Sequence, residues 1–420
     1  MRTVLTRTGV FLCLVAGLAR PAVAQVDQQR APEFFKEAQA LCQRDGGRLW
    51  GVSICAPMVI FDRRTQTIAT SQPAPEGARP RALGFVNGPI QWGGATWSAY
   101  MWDDVVSKTP RDRNELFLHE LFHGVQARVG VMAPARPTEH LDVADGRYWL
   151  RLEWRALARA LRESGEQRRL AIRDALAFRQ ARRTLYPASA DDERGQEITE
   201  GLAAYTGTVL AAPAAADAIG RALELLAGAD SAESFVRTFA YFSGPAYGLL
   251  LDAASPGWTR RARGSDDFGT LLMGALAIQP ATDAAVSATR YGGAEIRASE
   301  QQRDQQRQER LAELRRRFVD GPVLVIPGGG TASDSRGAFA IPGAGTVYFH
   351  AFRSSGPWGA LEADSGVLVA SDGRIRRVPA PVRRDDGTFA GAGWTFKVGP
   401  GWVVREGPRR GDYEVVRQQP

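Results

Sequence analysis

Between Tyr148 and Tyr186, apolar residues return every three or four positions in "YWLRLEWRALARALRES" and then "EQRRLAIRDALAFRQARRTLY". Arginine and glutamate fill the positions between them. That period puts the apolar side chains on one helix face. The Ser164-Gly165 step between the two runs therefore predicts an αα-hairpin. Related patterns predict helices over 33–44, 191–211, 214–227 and 231–252. "TPRDRNELFLHELFHGVQARVG" predicts another, with Thr109 or Asp112 as its cap and Gly130 as its stop. Upstream, "CAPMVIFD" and "TQTIATS" are rich in β-branched residues and flank a polar step, which predicts a hairpin. "RALGFV" and "GATWSAYMW" continue the strand-like pattern through Trp102.

The texture changes after Asp320. "GPVLVIPGGG", "GTVYFHAF", "WGALEADSGVLVASDG" and "GAGWTFKVGPGWVVREG" are short β runs separated by Gly and Pro turns, as in a small all-β module. The preceding charged run, "SEQQRDQQRQERLAELRRRF", reads as a solvated helix that closes the first domain near Phe318. "PGGG" is no phosphate loop, because no GK[ST] follows it and no helix opens there. The expected fold class is α+β. A mixed sheet packed on a mostly helical domain (residues 25–318) is followed by an all-β C-terminal module (319–420).

Composition adds the compartment. Residues 1–24 have the parts of a secretory signal: Arg2 and Arg7, an apolar run from Val10 to Leu18, and Ala22-Val23-Ala24 as a cleavage site. The run is too short to anchor the mature chain in a bilayer. An exported protein, periplasmic or extracellular, with no integral membrane segment after cleavage is expected. Its two remaining cysteines, Cys42 and Cys55, are then expected to form a disulfide. The net charge of +7 does not argue for nucleic acid. Of the 53 basic residues only Lys36, Lys108 and Lys397 are lysines, and the arginines are dispersed among acids along helices, not gathered into a stripe.

The candidate chemistry lies in "NELFLHELFHGVQ", residues 114–126, which holds two of the chain's four histidines. Side chains at i and i+4 share a helix face, so His119 and His123 can converge on one ion. Glu120 is rotated by about 100° from His119, off the ion but within reach of a water bound to it. Zn2+ suits two imidazoles and a fourth, open position. It lowers the pKa of its water, and Glu120 is placed to take the proton as general base.

A third ligand defines the class. The pattern HExxHxxGxxH fails, because Gln126 and Val129 stand where Gly and His are required. His140 lies in a Pro- and Asp-rich loop. "GQEITEGLAAYTG", residues 195–207, instead offers Glu200 on a downstream helix. Here the chain resembles the gluzincin clan of HExxH zinc metallopeptidases, the thermolysin and aminopeptidase-N type, in which a Glu on a later helix completes the metal site. The resemblance implies a zincin-like catalytic domain, His119, His123 and Glu200 as zinc ligands, and Glu120 as general base. It covers the motif helix and the Glu200 segment only. The chain departs from the pattern in the 77 residues from His123 to Glu200, and in having Ala204 where an Asp often stands. Glu197, one turn earlier, is the alternative ligand or a partner orienting a histidine.

Tyr205 is expected near the site as a packing or supporting residue. Tyr241 and Tyr247 are expected in the core, with lining of the cleft as the alternative. Asp142 and Glu153 are candidates to orient a histidine, and Trp92, Trp97 and Trp102 to form core or a substrate wall. The expected function is an exported zinc hydrolase acting on a peptide or protein substrate. The alternative is a cell-envelope binding protein with structural zinc and a partner site on the β module. Oligomeric state is not readable from the sequence.

Overall fold

A four-stranded sheet and the helices on one of its faces make up the first of two compact units, which divide at Glu300 and Gln301. The computed structural model describes residues 26–418 except 81, 84–86, 233, 333–337 and 351. The expected export signal lies outside the described residues, as does most of "RALGFV". The fold class is α+β, as the sequence patterns predict. Among the described residues no helix is long and apolar enough to cross a membrane.

The chain enters through α1 (Arg30–Asp45), which ends at Gly46 in the left-handed conformation, φ 56°. The turn that follows returns the chain so that Cys55 meets Cys42, and the two form a disulfide with Cα atoms 5.4 Å apart. Strands β1 (Met58–Phe61) and β2 (Ile68–Thr70) form the expected hairpin, Val59 opposite Thr70. Strands β3 (Gly88–Trp92) and β4 (Ala95–Met101) pair antiparallel, and β4 runs parallel to β1, for a sheet order β2-β1-β4-β3. Alternation along β1 sorts the two faces. Met58 and Ile60 join the helical core, while Val59 and Phe61 join a smaller cluster with Trp92 and Trp97 on the other side. All three candidate tryptophans, Trp92, Trp97 and Trp102, are buried core residues.

After α2 (Trp102–Val106), Thr109 caps α3 (Pro110–His123) by accepting from the Asp112 N–H, with Pro110 in the first turn. Phe117, Leu118, Leu121 and Phe122 bury its inner face. The regular α-helix ends at His123, where Gly124 weakens it, and hydrogen-bonded turns carry the chain on to Gly130, which is left-handed at φ 77°. The αα-hairpin is α4 (Ala144–Arg162) and α5 (Gly165–Leu185), turning at Ser164-Gly165. Next, α6 (Ala190–Gln196) and α7 (Leu202–Ala211) are continuous in chain direction but joined by a π-helical turn, Glu197–Gly201. Then come α8 (Ala215–Gly228), α9 (Phe239–Ala254), α10 (Phe268–Leu276), α11 (Ala284–Ala288) and α12 (Gly293–Arg315). Residues 234–238 are not the helix their pattern predicts. Asp142 captures that segment, accepting from the Ser234 hydroxyl and the Phe235 N–H at 2.7 and 3.0 Å.

A buried ionic network locks α4, α5, α6 and the π turn together. Arg182 of α5 bonds Glu153 of α4 at 2.5 Å and Glu193 of α6 at 2.7 Å. Arg179 bonds both oxygens of Glu197 and reaches Asp267 at 2.8 Å. Burial alone would raise the Glu193 pKa, but the Arg182 charge and the hydrogen bonds of His140 and Arg182 hold it well below the ordinary range.

The second unit is all-β beyond Asp320. A six-stranded and a seven-stranded sheet bury Leu324, Phe352, Trp358, Trp394 and Phe396 between alternating exposed positions. In the larger sheet the last strand lies parallel to the first, Tyr413 opposite Leu324, while the other pairs are antiparallel.

Three outcomes follow for stability. Arg182→Met strands two buried carboxylates and should cost about 3–5 kcal/mol in urea unfolding. Because the Glu193 pKa is depressed in the folded state, its contribution is complete above the ordinary carboxylate pKa. It is lost as pH falls through the depressed value, so wild-type stability should decline on acidification. Replacing Cys42 and Cys55 by Ser should cost about 2–4 kcal/mol by the same measurement.

Candidate metal centre

The i, i+4 spacing on α3 brings His119 and His123 together as the sequence requires. Their Nε2 atoms are 2.9 Å apart, with the ring planes close to perpendicular at 81°. The Glu200 Oε2 faces the same point, 3.4 Å from His119 Nε2 and 3.6 Å from His123 Nε2. Glu120 lies beside this group; its carboxylate and the two imidazoles present ligand atoms that all fall within 4.8 Å of one another. Two glutamates thus border the histidine pair. Glu200 is the one directed at both nitrogens from the opposite helix, whereas Glu120 shares the helix of His119 and is buried against β3. A Cβ built on Gly88 of that strand would stand 3.9 Å from Glu120 Oε2.

Glu200 is delivered by the π turn. The wider turn lets Glu197 and Glu200, three residues apart, point in different directions. Glu197 goes inward to Arg179, which takes both its oxygens, and does not approach the histidines. Glu200 goes toward α3. Two glycines allow α9 to press on this turn. A Cβ at Gly244 would sit 2.3 Å from the Gly201 carbonyl oxygen and 2.5 Å from its Cα. That approach seats Tyr241 over the site. Its hydroxyl donates to Glu200 Oε2 at 2.6 Å, and its ring stacks on His119 with centroids 5.4 Å apart. Tyr241 is therefore a site residue and not the core residue its sequence context suggests.

Other sequence candidates fall elsewhere. Tyr205 donates to Asp252 at 2.8 Å and Tyr247 to Glu153 at 2.7 Å, both within the core. His140 is bound to Glu193 at 2.7 Å. Asp142 holds the 234–235 backbone, and Glu153 serves Arg179 and Arg182, so neither orients a site histidine. The orienting group is one the sequence patterns passed over. The Gln126 side chain lies 2.6 Å from His123 Nδ1 and donates to the Ile198 and Thr199 carbonyls at 3.2 and 3.0 Å. Its position three residues after His123, on the same side of the chain, is the only sequence signal for that role.

The electrostatics separate the two glutamates. Burial pushes the Glu120 carboxyl above its ordinary pKa, against the pull of His119 and His123. Glu200 is pushed up by burial as well, but the nearby His119 and His123 rings and the hydrogen bond from Tyr241 hold it well below the usual range. Burial favours neutral His123, yet the adjacent carboxylate of Glu200, with the charge of Glu120, raises its pKa overall. The donor set is thus two imidazoles and an ionised carboxylate converging on one point. This is the chemistry a catalytic zinc site uses, and the residues fit the ion.

A cleft of about 600 Å³ opens beside His119, Glu120 and Tyr241. It runs along the outer face of α3 past Leu116 to Asp112 and Glu115, with Ala204 and Thr208 of α7 and Leu225 of α8 on its walls. Arg221 closes its far end, bonded to Asp112 and Glu115 at 2.7 Å each. Comparisons with protein-family models, curated proteins and solved structures find no match to this chain.

Gly244→Ala should drive α9 from the π turn and cost about 1–3 kcal/mol in urea unfolding. Gly228→Ala, where an added Cβ meets open space, should show no such loss.

Proposed function

We propose that the protein is a zinc-dependent hydrolase that cleaves peptide bonds, of the gluzincin type that its HELFH motif and Glu200 resemble. The observation that carries this is the convergence of His119 Nε2, His123 Nε2 and Glu200 Oε2 at the mouth of a substrate-sized cleft, with Glu120 beside them. A zinc ion held by His119, His123 and Glu200 supplies Lewis acidity and a water of lowered pKa.

The chain's own groups do the rest. Glu120, desolvated and raised in pKa, takes the proton of the attacking water and returns it to the leaving amine. Tyr241, whose hydroxyl donates to Glu200 and whose ring lines the cleft, is the donor we assign to the negative charge that develops on the scissile carbonyl. Strand β3 is an edge of its sheet next to Glu120, and Pro89 within it suits such an edge. Its unpaired backbone side can take an extended peptide as an added strand. The Cys42–Cys55 disulfide agrees with the exported location expected from residues 1–24.

Zinc content and hydrolysis test this together. Wild type should carry close to one zinc per chain by mass spectrometry of the metal, and Glu200→Ala much less. Equal zinc in both would refute the ligand set. Glu120→Gln should keep its zinc and lose about 10²–10⁴-fold in turnover of a denatured protein substrate. A zinc-loaded wild type that cuts no amide would favour a structural zinc in a binding protein.

A further inference from the structure

Gln126 touches both halves of the site. It follows α3 by three residues, is 1 % exposed, and hydrogen-bonds to His123 on its own side and to the π turn on the other. The chemistry of its partners removes any ambiguity in its orientation. The carbonyls of Ile198 and Thr199 only accept, so the amide NH₂ must face them, at 3.2 and 3.0 Å. Oε1 then faces His123 Nδ1 at 2.6 Å and can only accept, so Nδ1 must carry the proton. In the neutral ring His123 Nε2 is then left with its lone pair, facing His119 Nε2 and Glu200 Oε2.

We infer that Gln126 is a positioning residue of the metal centre, setting the Nδ1–H tautomer of His123 and the place of the Glu200 turn through one amide. The inference rests on the metal reading above. The two carbonyls belong to the residues immediately before Glu200, so a shift of the turn breaks the amide donors, and rotation of the amide to follow it breaks the His123 bond. One side chain thereby couples a ligand on α3 to the ligand on the facing helix. A second clamp acts from the opposite side, where Arg179 holds Glu197. Histidine ligands generally depend on such outer partners, whose loss weakens metal binding about 10–100-fold.

The tautomer can be read without zinc and without substrate. In ¹⁵N-histidine-labelled metal-free protein, at a pH where the imidazoles are neutral, long-range ¹⁵N–¹H correlations assign the protonated nitrogen of each ring. Wild-type His123 should carry its proton on Nδ1, and Gln126→Met should show both tautomers. In chelator competition, the variant should bind zinc about 10–100-fold more weakly. A wild-type His123 protonated on Nε2 would overturn the proposal, even if the variant does not fold. So would a folded Gln126→Met protein with an unchanged tautomer and a zinc affinity within about twofold of wild type, well short of the loss expected when an outer partner is removed. Should the wild type bind no zinc, the metal reading fails by itself, and the tautomer still decides the role of Gln126.

Discussion

A carboxylate from one helix is held within 3.4–3.6 Å of two imidazoles on another, beside an open cleft. Much of the first unit follows from that arrangement. The histidines need only the pitch of a single helix. Glu200 comes from a segment 77 residues later in the chain, so its position must be fixed by tertiary contacts. The π turn supplies the direction, and contacts on three sides hold it: Gln126 from the end of α3, Arg179 from α5, and the backbone of α9 at Gly244. A π turn is a rare interruption of an α-helix, found mostly as a single turn and often at functional sites, and here contacts from outside the helix anchor it.

The αα-hairpin that lengthens this part of the chain serves the same end. Its arginines at 179, 182 and 183 pair with Glu153, Glu193, Glu197 and Asp267 in a largely buried region. Buried pairs of this kind bring little net stability, because desolvation offsets their attraction. They are severe about geometry, however, since a displaced partner leaves a bare buried charge. The network therefore acts as a back wall for the π turn, while Glu200 on its other side meets His119 and Tyr241, which line the cleft. The site is dry and ionic behind, open and mixed in front.

How much of this the sequence made legible depends on the range of the interaction. The helix of His119 and His123, its Thr109 cap, the αα-hairpin, the β module and the Cys42–Cys55 bridge are local patterns, and each was readable. Glu200 could be proposed from its Glu-Gly-Leu-Ala context, and its side chain lies 3.4 and 3.6 Å from the two histidines. The π turn was not readable, because 191–211 has the same periodicity as an uninterrupted helix. Tyr241 looked like core, since its place over Glu200 depends on the contact of Gly244 with Gly201, forty-three residues apart in sequence. Gln126 entered the sequence reading only as the residue that broke the longer histidine pattern. Its amide serves two helices at once, and no spacing within one helix reveals that. The helix expected from 231 began at Phe239 because a distant side chain, Asp142, captured the backbone before it.

The central claim is that Glu200, and not Glu120, completes a zinc site with the two histidines. Diffraction from zinc-loaded crystals at wavelengths on either side of the zinc absorption edge tests it most directly. The account predicts one anomalous peak about 2.0–2.2 Å from His119 Nε2, His123 Nε2 and a Glu200 oxygen, with Glu120 outside bonding distance. A peak bonded to Glu120 with Glu200 turned away, or no peak between the histidines, would contradict it.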